Sequence, residues 1–258
     1  MRSARTTRLR KLSMLGFDLV ENGHNFVAIL EFDITSLRKT LRERRVAGCG
    51  GSLFSFLLKA IATCLAEMPD FNSIIDYRNT TAFGEVDLNI PIEVERGGRL
   101  VTKQYIVRGA DRKSAAEIAS EIHAAKTGDD DESGYVFSSF LQALLTAIPR
   151  RASVFLMRSL LRNHAKVKEL SGTVFVTSVS MFSNVPGYVI PYIGGPKAVS
   201  FALGSAVKKP VVRRDAVEIR EMLNMTVVFN HDIVDGAPAA RFINRLRKIV
   251  ELEYAKLL

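Results

Sequence analysis

The sequence predicts one α/β domain over residues 1–258, a two-layer sandwich in which helices flank a large mixed β-sheet. Three observations carry that expectation. Strand-like runs and amphipathic helical runs follow one another along most of the chain, the pattern of a sheet covered by helices. No internal repeat and no linker rich in Pro, Gly or Ser divides the chain, and 47% hydrophobic residues in a chain of 258 suffice for a substantial core. Near the C-terminus an apolar strand-like run, residues 223–229, leads into Asn230-His231-Asp232-Ile233-Val234-Asp235-Gly236-Ala237-Pro238 and then into an amphipathic helix. That order places a polar turn on the rim of a sheet.

Taken in order, residues 5–22 read as a helix with Leu9, Leu12, Leu15 and Leu19 on its apolar positions, followed by an alternating strand over 26–34. Thr35 or Ser36 can cap the charged helix that runs to Arg45. After a glycine-bearing turn, residues 53–67 form a broadly apolar helix ending before Pro69. Short strands are expected at 74–77, 87–94 and 100–107, the last two joined through Arg96-Gly97-Gly98-Arg99 as a hairpin turn. Residues 114–126 are an amphipathic helix with Ile118 and Ile122 on one face. From Gly172 strands dominate, at 173–178, 198–203 and 222–229, with turns containing Pro186-Gly187, Gly194-Gly195-Pro196 and Lys208-Lys209-Pro210. A helix over 239–254, with Phe242, Leu246, Ile249 and Leu252 at helical spacing, closes the chain.

Between these halves, residues 127–171 stand out. They open with the acidic run 129–134 and continue as two apolar helical stretches, 135–148 and 152–163, separated by Pro149-Arg150-Arg151. Apolar side chains cover more than one stripe, so these helices bury themselves in something. An added hairpin packed on the domain or at a subunit interface is the plainest role. A lid or wall for a long apolar ligand is the second. Peripheral contact with a membrane through Arg150, Arg151, Arg158 and Arg162 is the third.

Composition narrows the function classes. The formal net charge is +9, but the basic residues are scattered, there is no tryptophan and no nucleic-acid motif is present, which argues against nucleic acid and leaves attraction of an anionic small molecule. The basic N-terminus is not followed by a secretory apolar stretch, and the longest apolar runs are short and broken by Lys59 and Arg158. Cys49 and Cys64 form neither a disulfide framework nor a metal-ligand pattern, so the expected compartment is the cytoplasm and no metal is expected. Cys64 lies in a helical apolar pattern and Cys49 in a turn.

The His-x-x-x-Asp-Gly turn is the chemical signal. A histidine on a sheet rim can take and return a proton near neutral pH. The other three histidines, His24 at a turn, His123 on an amphipathic helix and His164 after a basic helix end, read as structural or solvated.

The stretch from Val227 through Glu251 resembles the end of the catalytic domain of the acyltransferase subunit of 2-oxo acid dehydrogenase complexes, the dihydrolipoamide acyltransferases, whose wider fold family includes chloramphenicol acetyltransferase. Gly172-Thr173-Val174-Phe175-Val176-Thr177-Ser178-Val179-Ser180 resembles that family's strand bearing a small hydroxyl residue, about fifty residues before the histidine. Weaker similarity runs through Phe32-Asp33-Ile34-Thr35, Pro69-Asp70-Phe71-Asn72 and 86–92, so it covers most of the chain. The resemblance implies a chloramphenicol acetyltransferase-like fold and transfer of an acyl group between coenzyme A and a thiol or other small nucleophile. His231 is then the general base and Ser178 the oxyanion donor. Thr177 is its competitor, one position away and on the opposite face of the strand. Asp235 is implied to pair with an arginine that holds the turn in shape, Arg8 and Arg10 being candidates. Asp232 stands where the complex-forming enzymes usually carry arginine.

The resemblance further implies a homotrimer with active sites between subunits, Ser178 of one chain facing His231 of the next. The chain starts almost at the catalytic part, so a lipoyl group would arrive on another protein. The alternative is a non-catalytic oligomeric scaffold of the same descent, against which the presence of both His231 and Ser178 counts.

Overall fold

The computed structural model describes residues 11–12, 14–15, 24–48, 51–76, 78–96, 98–128, 139–160, 162–179, 187–191 and 195–258. Eight strands are described: β1 (Asn25–Asp33), β2 (Ser73–Ile75), β3 (Thr80–Ala82), β4 (Leu88–Arg96), β5 (Arg99–Val107), β6 (Val174–Ser178), β7 (Val199–Arg213) and β8 (Ala216–Asn230). The helices are α1 (Thr35–Val46), α2 (Leu53–Glu67), α3 (Ala115–Thr127), α4 (Ser139–Ala147), α5 (Arg150–Leu160), α6 (His164–Ser171) and α7 (Gly236–Glu251). Residues 11, 12, 14 and 15 are helical; the rest of the helix expected over 5–22 lies outside the described residues, as do Cys49, Gly97 and the acidic run 129–134.

The expected α/β sandwich with a large mixed sheet is what forms. Six strands lie in the order β1-β8-β7-β6-β4-β5, and β2 pairs with β3 separately. The β4–β6 and β6–β7 pairs are parallel and the rest antiparallel. Alternation explains the layering. Leu223, Met225, Val227 and Phe229 of β8 join Val199, Phe201 and Leu203 of β7 and Val174 and Val176 of β6 in one core under α2, α3 and α7. The intervening Asn224, Thr226, Val228 and Asn230 point to the other face and are also at most 5% exposed. Central strands covered on both faces are what α/β sheets show.

The helix starts follow local chemistry. Ser52 and Ser55 form a reciprocal capping box on α2, and Ser114 and Glu117 another on α3. At α1 the expected cap by Thr35 or Ser36 is not made. Asp33 takes over, its Oδ1 accepting from Thr35 N and Thr35 Oγ1 at 3.1 and 2.7 Å while Oδ2 accepts from Arg213 and Arg220, both at 2.8 Å. This buried carboxylate joins the end of β1 to the β7–β8 hairpin.

Three further departures have physical causes. Lys208-Lys209-Pro210 is not a turn but lies inside β7, which pairs with β8 as far as Arg213. Beyond Leu203 no β6 pairing remains, so among the described residues Pro210 sits where β7 has a paired strand on one side only, the position a strand proline tolerates. The reversal comes instead at Arg214-Asp215, both with positive φ. The short strand β3 and helix α6 have no counterpart among the expected elements. Helices α4 and α5 lie in the two expected apolar stretches, and they form a satellite cluster of Leu145 and Met157 with Leu15, apart from the main core.

Candidate active site

His231 occupies the turn between β8 and α7, and the sequence builds that turn mainly through Asn230. The Asn230 carbonyl accepts from Ile233 N and Val234 N at 3.1 and 2.9 Å, and its side-chain oxygen accepts from Asp232 N at 2.9 Å. Its side-chain nitrogen donates to the Gly195 carbonyl at 3.3 Å. Asn230 is 2% exposed, so these bonds are made in a dry setting where each is worth most. The sequence reading missed this role, although an asparagine directly before a polar turn is a recognisable local signal.

The His231 N–H donates to the His24 carbonyl at 2.6 Å, which ties the turn to the start of β1. Its imidazole meets the edge of Phe26 with centroids 5.1 Å apart, and Phe26 stacks on Phe229 of the core. The side chain stays 54% exposed. It is therefore oriented by an aromatic neighbour and open to a reactant.

Asp235 lies 3.7 Å from His231 Nδ1, within ion-pair range and too far for a hydrogen bond, with 82% of its side chain exposed. It stands at the N-cap of α7 without a side-chain capping bond. Its candidate partners Arg8 and Arg10 lie outside the described residues. Pro238 falls in the first turn of α7, where a missing N–H costs nothing. Asp232 Oδ1 lies 2.8 Å from His24 Nδ1, within hydrogen-bond distance on the surface.

Ser178 ends β6 and is 7% exposed. The strand register sets its distance from His231. Ser178 pairs with Leu203, and Leu203 pairs with Met225, six residues before His231 along β8. At about 3.3 Å per residue this puts the two roughly 20 Å apart along the sheet, with two strand spacings between them as well. Within one chain they do not meet. Thr177 pairs with Ala202 and through it with Thr226, one row nearer to His231 and on the opposite face.

A cleft of 380 Å³ opens beside the turn, walled by Asp70, Ser73, Thr80, Asp232 and Pro238 among others; His231 is not in its wall. The remaining histidines sort differently. His164, at the start of α6, is 9% exposed, with Nδ1 2.7 Å from Thr81 Oγ1 and Nε2 3.3 Å from Asp76. His24 and His123 are exposed. Cys64 is fully buried and its thiol is pushed up to about 12 by burial, so it is a core residue and no nucleophile at neutral pH. Among the described residues, no helix is long and apolar enough to cross a membrane.

Comparison with known proteins agrees with this architecture. The family described as 2-oxoacid dehydrogenases acyltransferase (catalytic domain) matches residues 24–132 and 152–258, leaving 133–151 outside the match. The lipoamide acyltransferase component of the branched-chain alpha-keto acid dehydrogenase complex of Pseudomonas putida is 24% identical over 250 residues, 94% of this chain and 50% of that protein. The chain spans about half the length of the curated relatives it matches. A probable dihydrolipoamide acetyltransferase of Listeria monocytogenes has a similar structure, with a TM-score of 0.71 at 21% identity over 100% of this chain and 99% of that one. The dihydrolipoamide acetyltransferase of Azotobacter vinelandii also scores 0.71 at 21% identity, over 100% of this chain and 94% of that one. Its structure was determined to examine the catalytic role of a serine, a histidine 52 residues later and an asparagine four beyond that.

Proposed function

Since the chain belongs to the family of 2-oxoacid dehydrogenase acyltransferase catalytic domains, we propose that it transfers an acyl group between coenzyme A and a small nucleophile, with a dihydrolipoyl-type thiol as the first acceptor to consider. The observation that carries this reading is the His-x-x-x-Asp-Gly turn, which holds a half-exposed imidazole on the sheet rim of a family fold.

In the proposed reaction His231 removes the proton from the acceptor thiol, and the sulfur attacks the carbonyl carbon of the acyl thioester. The carbonyl electron pair moves onto oxygen, where a hydroxyl from the Thr177-Ser178 strand end donates to it. Collapse breaks the bond to the sulfur of coenzyme A, and the proton passes from His231 to that sulfur. A positioned base contributes about 10²–10⁴ in rate, and an oxyanion donor about 10²–10³.

We take the working unit to be a homotrimer with sites between chains. The separation of roughly 20 Å between His231 and the strand-end hydroxyls supports this, because a reacting carbonyl must touch both groups. A neighbouring chain can supply what one chain keeps apart. The spacing in the Azotobacter protein is compatible with Ser178 or Thr177, which stand 53 and 54 residues before His231. The asparagine four beyond that protein's histidine corresponds in spacing to Asp235. At 3.7 Å and with most of its side chain in solvent, Asp235 is suited to shaping the turn and contributes little direct charge stabilisation.

Incubating the protein with a series of acyl-coenzyme A esters and free dihydrolipoamide, and following thiol release, tests the proposal. Transfer by the wild type that His231→Ala abolishes is the expected result. Donor binding with no transfer by either protein would move the search to alcohol and amine acceptors. Absence of donor binding would favour the oligomeric scaffold.

A further inference from the structure

We infer that the outer face of α5 docks on the surface of a bilayer that carries anionic lipids, with the helix lying on the membrane and not crossing it. Helical spacing sets the face. Arg151, Phe155 and Arg158 recur at intervals of four and three along α5 and so stand on one side of it. Ser153 and Met157 stand on the other side and are 0% and 6% exposed. Met157 packs with Leu145 and Leu15, and the Ser153 hydroxyl donates to the Leu145 carbonyl at 2.8 Å. These contacts fix the inward face on α4, and the outward face follows from them. Phe155 is 76% exposed there. One open phenyl ring is ordinary on a protein surface; its electrostatic setting is not.

The basic residues, which read as scattered along the sequence, separate once they are grouped by the part of the fold they belong to. Residues 134–168 hold six basic and no acidic residues, and residues 1–17 hold five and none. The remaining chain has 25 basic against 27 acidic residues, so the whole surplus of +9 comes from these two segments. The structure joins them, since Leu12 and Leu15 pack in the satellite cluster with Leu145 and Met157. Lys11, Arg150, Arg151, Arg158, Arg162 and Lys166 are exposed. Arg151, Arg158 and Arg162 make no ion pair among the described residues. Helix α4 and the first two residues of α5 also lie in the segment 133–151 that the family match leaves out.

This chemistry fits an anionic headgroup layer. Guanidinium groups fork onto phosphates and carboxylates, while an aromatic ring among them enters the boundary with the acyl chains. A second copy of the chain is a poor occupant, because a two-fold contact would set the basic face against itself. Helix α5 has 11 residues and no described helix is long and apolar enough to cross a membrane, so the attachment is in the plane of the surface.

The test sediments the full chain with phosphatidylcholine vesicles, with and without about 30% phosphatidylserine, at about 0.1 M and about 0.5 M salt. Arg151→Glu combined with Arg158→Glu, and Phe155→Ser, run beside the wild type, with thermal midpoints measured for each. Binding should require phosphatidylserine and be lost at the higher salt. The charge-reversed pair should bind about 30-fold or more weakly, and Phe155→Ser several-fold more weakly, with midpoints little changed because the positions are exposed. If the reversed pair lowers the midpoint, Arg151→Gln with Arg158→Gln takes its place. Absence of binding to anionic vesicles, equal binding to neutral ones, or unchanged binding by the charge variants would overturn the inference. Tighter binding of a labelled single-stranded RNA would give the face to nucleic acid, and a smaller assembly in Phe155→Ser by gel filtration would give it to a second copy; either outcome overturns the inference as well.

Discussion

His231 and His164 are the same side chain in two opposed settings. His164 is 9% exposed and locked between Thr81 of β3 and Asp76 in the β2–β3 turn, so it joins α6 to the small hairpin. The rest of α6 is fastened with equal thoroughness. Arg108 donates to the carbonyls of Lys168 and Glu169 and to buried Asp87, and Lys197 donates to the carbonyl of Ser171. Gly172 ends the helix with φ +64°, and a Cβ there would come within 2.6 Å of the Asp87 carbonyl. The His231 turn invests its hydrogen bonds in the backbone and in Asn230, and leaves the imidazole half in solvent beside a loosely held carboxylate. The His164 ring is buried, with one nitrogen bonded to Thr81 and the other in ion-pair range of Asp76, whereas the His231 ring is left half in solvent.

The widest separation between the two settings should appear in His231→Ala. Transfer should fall by about 10²–10⁴, while stability changes by under about 0.5 kcal/mol, because the ring is exposed and the backbone bond to His24 remains. Kinetics with acyl-coenzyme A and urea unfolding on the same variant would check both halves. A large loss of stability would erase the contrast.

His164→Ala should do the reverse, lowering stability by about 1–3 kcal/mol, since a buried ring is removed and the Thr81 hydroxyl loses its partner. The turnover of molecules that remain folded should be unaltered, as thermal denaturation alongside kinetics at low temperature would reveal.

Lys197 sharpens the contrast through pH. Burial of its ammonium lowers its pKa to about 7, against the opposing pull of Asp87. Below pH 7 both folded and unfolded chains hold the proton, and the folded state bears the cost of burying the charge. Between pH 7 and the ordinary lysine range near 10.5 only the unfolded chain holds it, so the contribution of this group to stability rises across that window and levels off above it. Lys197→Met should flatten the rise: the difference in urea midpoint between variant and wild type should change between pH 6.5 and pH 9. An equal difference at both pH values would show that the ammonium is solvated.

The smallest effect belongs to Asp235→Asn. An exposed pair 3.7 Å apart is worth about 0.5 kcal/mol or less, so kcat should change by no more than about threefold. A loss as large as that of His231→Ala would give Asp235 a direct part in orienting the imidazole.

Much of the fold was legible because its signals are local. The alternation of 26–34 became β1, the apolar run 53–67 became α2 with the same limits, and the amphipathic run 114–126 became α3. Of the candidate site, the turn and its histidine were legible, since an apolar strand, a polar turn and an amphipathic helix in succession describe one place. Helix α6 was missed because it owes its position to distant partners, Thr81, Asp76 and Arg108, and its own eight residues carry little helical signal. Pro210 was misread as a turn because its tolerance depends on which neighbours β7 has at that point.

What the sequence determined by itself, then, is the order of most strands and helices, the family likeness and the chemistry of the His231 turn, encoded by periodicity and adjacent residues. The tertiary structure alone decided which face each strand residue occupies and what lies level with it. Because side chains alternate with period two, a shift of a single residue moves a hydroxyl from one face of the sheet to the other. Thr177 and Ser178 are adjacent in sequence and nearly alike in chemistry. Only pairing with Ala202 and Leu203 puts one on the face away from the helices and the other against the core.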